Sequence, residues 1–79
     1  MKRKKTERIV IIFKTTTAAL QMEKAAKAEG IDGRLIPVPK EITAGCGLAW
    51  SAPAETEGAL HDLIKRHGIT PEGIQKLML

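Results

Sequence analysis

Aromatic side chains are almost missing from this 79-residue chain: Phe13 and Trp50 are the only two, and there is no tyrosine. Domains that read single-stranded nucleic acid from a β-sheet stack bases on exposed aromatics. Two isolated rings with no recognition segment around either do not make such a platform, so Trp50 reads as a core or interface anchor. Cysteine is scarcer still, with Cys46 alone. One thiol cannot close an internal disulfide, so nothing argues for an oxidising compartment. One cysteine and two separated histidines, His61 and His67, also give no ligand spacing of the zinc type. No apolar run approaches the roughly 18 residues of a membrane span. Ile9 to Phe13, behind the basic start, is too short for the apolar region of a signal peptide and carries no cleavage signature. The expectation is a cytoplasmic protein with neither metal nor cofactor.

The net charge of +4 comes apart on inspection. Lys2, Arg3, Lys4 and Lys5 supply four of the thirteen basic residues, and the remaining nine are matched by nine acidic ones. The excess belongs to a short terminus, read here as a flexible tail over residues 1–7 ahead of one domain over 8–79. A chain of this length buries only about 60% of the surface that its unfolded form exposes. That leaves little room for a deep catalytic pocket.

Arg8-Ile9-Val10-Ile11-Ile12-Phe13-Lys14 is a β-branched run that is apolar on both alternating faces, as a central strand covered on both sides must be. Lys14 and Thr15–Thr17 offer hydroxyl caps to a helix from Ala18 to Glu29 that Gly30 ends. Gly33 to Pro39 predicts a second strand, and Pro37, lacking an N–H, places it at a sheet edge. A loop over residues 40–46 leads to a third strand, Gly47 to Ser51. Pro53 suits the first turn of a second helix, whose apolar stripe is Ala59, Leu60, Leu63, Ile64 and His67 and which Gly68 closes. Ile74 to Leu79 fits a fourth strand or a short helix, and the strand is favoured. The order β-α-β-β-α-β is that of an α+β, ferredoxin-like sandwich with strand order 4-1-3-2 and two helices on one face. In that topology Cys46, the start of the first helix and His67 at the end of the second share one end of the sheet.

Cys46 lies between Gly45 and Gly47, which leave its backbone open to close approach by amide donors. A thiolate gains from such donors and from the dipole of a helix N-terminus. Lys14, Lys40, Thr15, Thr16 and Thr43 could add positive potential and hydrogen bonds there. Against this stands the commoner fate of a free cysteine, packing as a small buried hydrophobe; by composition and loop setting the two are level. His67 is a candidate proton donor or acceptor beside the thiol, although a histidine in a last helical turn is sufficiently explained by the helix dipole. His61 reads as helix surface.

Three segments resemble the selenium/sulfur (Se/S) carrier protein-like family, formerly a domain of unknown function. Phe13-Lys14-Thr15-Thr16, Ala19 and Glu23-Lys24 are similar to its F-x-S-T-x-x-A-x-x-x-E-K opening. Leu35-Ile36-Pro37-Val38-Pro39-Lys40 is similar to its L-I-P-T-P-R segment, and Ile42 to Ala49 to its I-S-S-G-C-G-x-A segment. The departures are Thr15 for serine, Val38 for threonine, Lys40 for arginine, and Thr43-Ala44 for two serines, the last removing one hydroxyl near the sulfur. The resemblance implies a thiol carrier rather than a turnover enzyme. Cys46 would take sulfur or selenium from a donor protein as a persulfide or perselenide and present it to an acceptor.

A second reading is a non-catalytic interaction or regulatory module. Val10 and Ile12 point away from Ile9, Ile11 and Phe13, so helices on one face only would leave the other apolar and inviting a second copy or a partner. A homodimer fits both readings. RNA binding through the basic tail is a weaker third, and a membrane partner is not expected.

Overall fold

The computed structural model describes residues 6–39 and 47–78. β1 (Glu7–Ile12) holds the central position, in a four-stranded antiparallel sheet of order β2-β3-β1-β4. Its β-branched residues fill both faces: Ile9, Val10 and Ile11 are fully buried and Ile12 nearly so. β2 (Arg34–Pro37) lies at one edge and β4 (Gly73–Met78) at the other, with β3 (Leu48–Pro53) between β2 and β1. The α+β sandwich and the strand order are those expected, and the last strand is a strand.

The registers give the sheet two ends. At the upper end Ile12 faces Ala49 and Gly73, and Pro37 faces Leu48. At the lower end Arg8 faces Pro53 and Leu77, and Arg34 faces Ser51. Pro37, the last residue of edge strand β2, sits where a missing N–H costs no ladder bond.

α1 (Thr16–Ala28) and α2 (Glu57–His67) cover one face. Their buried residues, Ala19, Met22, Ala25 and Ala26 from α1 and Leu60 and Leu63 from α2, pack on Ile9, Ile11, Phe13, Trp50 and Ala52. Both helices end alike. Gly30 and Gly68 take left-handed φ values of 69° and 65°. The next residues, Ile31 and Ile69, donate N–H to the carbonyls of Ala26 and Ile64 at 2.9 and 3.1 Å. Each isoleucine then turns back into the core, the usual apolar companion of this cap.

The boundaries differ in places from those expected. β2 starts at Arg34 because Gly33, at φ 153°, is not in a strand conformation. β3 runs on to Pro53, so that proline ends a strand instead of opening a helix; one 3-10 turn (Ala54–Thr56) precedes α2. In α2, Ala59 and His67 lie on the exposed side, which narrows the apolar stripe to Leu60, Leu63 and the partly buried Ile64.

The larger correction concerns the helix-free face. Val10, Ile12 and Ala49 cluster there with Ile36, Val38 and Leu77, and Val10 and Ile12 are 0% and 2% exposed within the single chain. This face is already covered at its centre. The second reading expected Val10 and Ile12 to stand open, and within the single chain they do not, while Ile36, Val38 and Leu77 around them are only partly buried.

Trp50 is 2% exposed, and its indole lies directly under Gly33. A Cβ on residue 33 would come within 2.6 Å of Trp50 Cζ2, at a backbone angle that side chains avoid. Gly33→Ala is therefore expected to cost about 2–4 kcal/mol, combining overpacking of the ring with backbone strain. Urea unfolding measures it; a loss under about 1 kcal/mol would mean that the Gly33–Trp50 approach relaxes freely.

Candidate functional site

The chain leaves β1 at the upper end of the sheet, through Phe13 and Lys14, and starts α1 at once. Thr15 is the N-cap: its backbone is extended (φ −134°, ψ 155°) and its hydroxyl accepts the Ala18 N–H at 3.1 Å. Thr16 is the first helical residue. Lys14, Thr15 and Thr16 are all exposed. The first turn of α1 carries no acidic residue, so the positive end of the helix dipole faces solvent without a carboxylate from its own turn.

The segment that joins β2 to β3 begins and ends at this same upper end. The Val38 N–H donates to the Gly47 carbonyl at 3.0 Å, which ties the two flanks together just beyond the Pro37–Leu48 pair. Gly47 takes φ 94° with open space around its Cα, a conformation that favours glycine. Lys40, Thr43, Gly45 and Cys46 lie outside the described residues. Of the expected site, the described part is thus Lys14, Thr15, Thr16 and Gly47, gathered at one end of the sheet.

His67 lies elsewhere. Its Nε2 donates to Glu29 Oε2 at 2.8 Å, and Arg66 reaches the same carboxylate with Nη1 and Nη2 at 2.7 and 2.6 Å. Glu29 is the C-cap of α1, a helix length of about 20 Å from Thr15. The last turn of α2 therefore meets the far end of α1, with His67 facing a shallow groove lined by Gln21, Lys24, Ala25 and Ala28. The expectation that His67 shares an end with the start of α1 assumed helices lying side by side along their strands, and the Glu29 clasp shows that they do not. The clasp has a clear electrostatic reason. Two helix C-termini, both partially negative, converge there with a carboxylate, and two basic side chains neutralise the set. Hydrogen bonds from Arg66 first and His67 second hold the Glu29 carboxyl below its ordinary value of 4.5. His61 is helix surface, paired with Glu57 one turn earlier at 3.5 Å, and Lys76 of β4 also bonds Glu57 at 3.0 Å. Glu29 escapes sequence inspection because it looks like one more helix-terminal acid; its partners lie 37 and 38 residues away.

Among the described residues, no group of three or more histidine, cysteine, aspartate or glutamate side chains could hold a metal ion. No helix among them is long and apolar enough to cross a membrane. Comparison with protein families finds a match to a family described as "Putative Se/S carrier protein-like", over residues 8–76. The chain belongs to this family. The matched stretch holds the sheet from Arg8 to Lys76, both helices and the Gly45-Cys46-Gly47 segment. No curated protein and no solved structure matches the chain significantly.

Two outcomes follow from this geometry. Thr15→Ala removes the α1 cap and is expected to cost about 1 kcal/mol in urea unfolding; no change would mean that water serves the Ala18 N–H equally well. Glu29 stabilises the fold above the carboxyl's ordinary pKa, where it is ionised in both folded and unfolded chains. That stabilisation disappears as pH falls through its lowered folded-state value. Melting temperatures between pH 3 and pH 7 should therefore fall more steeply in acid for the native protein than for Glu29→Gln, with the two curves converging at the acid end.

Proposed function

We propose that this protein is a thiol carrier in which Cys46 holds sulfur or selenium transiently between a donor and an acceptor protein. The carrying observation is membership of the Se/S carrier-like family through a match that contains Gly45-Cys46-Gly47. Support comes from the flanks of that segment, which are hydrogen-bonded to each other at the end of the sheet where α1 starts without an acidic residue in its first turn.

In this reading the Cys46 thiolate attacks the outer sulfur of a donor persulfide, R–S–SH. A bond forms between Cys46 Sγ and that sulfur, the donor S–S bond breaks, and R–S⁻ leaves with the bonding pair. The product is Cys46–S–SH. An acceptor nucleophile then attacks the outer sulfur and Cys46 leaves as thiolate, so the sulfur moves with no net oxidation or reduction. Selenium follows the same path with R–S–SeH. A low thiol pKa serves both halves, because the first needs a thiolate and the second needs a good leaving group. Lys14, Lys40 and the hydroxyls of Thr15, Thr16 and Thr43 would supply the positive potential and donors, with Gly45 and Gly47 allowing close approach. A reducing cytoplasm suits a lone reactive thiol. Such a carrier needs an accessible sulfur and a docking surface, and a domain of this size can offer both without a deep pocket.

Alkylation of Cys46 followed by intact mass across pH tests the proposal. The expected result is fast reaction of the native protein with an apparent pKa clearly below about 8.5, the value of an unperturbed thiol. A stable persulfide adduct should form on the native protein and be absent from Cys46→Ser. Reaction that becomes fast only on unfolding would show that Cys46 is packing, and the carrier reading would end there.

A further inference from the structure

The lower end of the helix-free face carries a cluster made of donors. Strand alternation puts Arg8 with Val10 and Ile12 on this face of β1, Ser51 with Ala49 on β3, and Arg34 with Ile36 on β2. Ser51 is 3% exposed and is the one buried polar residue among those described. Arg8, itself half-buried, donates from Nε to Ser51 Oγ at 2.9 Å and from Nη2 to the Ser51 carbonyl at 3.3 Å. Arg34 is exposed and stands directly opposite Ser51 in the β2–β3 ladder. Two arginines thus bracket one buried serine across three neighbouring strands.

Neither arginine has a carboxylate within ion-pair distance among the described residues, whereas Arg66 and Lys76 each have one. Glu7, next to Arg8 in sequence, belongs to the other face by alternation. Arg8 is oriented by two neutral acceptors, which leave its charge uncompensated and its remaining N–H groups free. Ser51 Oγ, having accepted from Arg8, keeps its own proton to donate. A guanidinium held in place before binding loses little freedom when it meets a planar or tetrahedral oxyanion. A ligand here must bring both negative charge and acceptor oxygens.

We infer that Arg8, Ser51 and Arg34 form an oxyanion-binding clamp, taking a carboxylate or phosphate group on the helix-free face. It lies at the opposite end of the sheet from the flanks of the Cys46 segment, at Val38 and Gly47. A bound group would anchor a partner or an anionic small molecule while leaving that end free. The inference goes beyond the carrier reading and does not depend on it.

The test is an NMR titration of ¹⁵N-labelled protein at low ionic strength, once with inorganic phosphate and once with an acetylated tetraglutamate peptide. It follows the Arg8 side-chain Nε–H and the Ser51 amide. Saturable shifts at these two groups are expected from one probe or both; tighter binding of the peptide would point to an acidic protein segment, and of phosphate to a small anion. Arg34→Gln, which disturbs no hydrogen bond of the fold, should weaken binding about tenfold or more, the size of one charge-assisted contact. Lys27→Gln, on the exposed side of α1, should leave it unchanged. Shifts that never saturate with either probe, or equal binding by the native protein and Arg34→Gln, would overturn the clamp. Repeating the titration on Cys46→Ser should give the same affinity, which separates this outcome from that of the thiol.

Discussion

Burial of β1 on both faces is the constraint on which the rest of the structure depends. Ile9, Val10, Ile11 and Ile12 are essentially removed from water in a chain of 79 residues. Each such side chain contributes about 1.5–3 kcal/mol, so these four alone are comparable with the roughly 4–12 kcal/mol of net stability expected for a domain of this size. A strand with this composition must sit in the middle of its sheet, with a layer above and below. The helices provide one layer through Met22, Leu60 and Leu63, and on the other face Ile36, Val38 and Leu77 pack against Val10, Ile12 and Ala49.

From that position the functional geography follows. A central β1 delivers α1 at the upper end, and the β2–β3 connection closes at the same end through Val38 and Gly47. The start of a helix and the flanks of the Gly-Cys-Gly segment thereby come to one place, although some thirty residues separate them in sequence. The other features lie away from it. The Glu29 clasp locks the helix layer where two negative helix ends converge, and the two arginines stand at the lower end of the helix-free face.

The regular elements were legible because their signals are local. Thr15 as a cap, the glycines at 30 and 68, the β-branched first strand and Pro37 at an edge each act through the residue's own backbone or its near neighbours. Pro53 misled because the same fixed φ serves the end of a strand as well as the start of a helix. His67 misled for a different reason. It lies on the helical stripe by spacing, yet helix periodicity says nothing of how one helix is rotated and tilted against another, and its real partner belongs to α1. Arg8 and Ser51 carried no sequence signal, since only the β1–β3 register brings them within 2.9 Å.

The sequence by itself determined the element order, the central place of β1 and, through the segments around Phe13, Pro37 and Cys46, the family. It could do so because propensity, capping and strand alternation are properties of short stretches. The tertiary structure alone decided that α2 ends against Glu29, that Val10 and Ile12 are covered within the chain, that Trp50 demands a glycine at 33, and that Arg8 and Arg34 flank Ser51. Each of these depends on distances between residues far apart in the chain, which follow from how the layers pack and not from any one segment's preference.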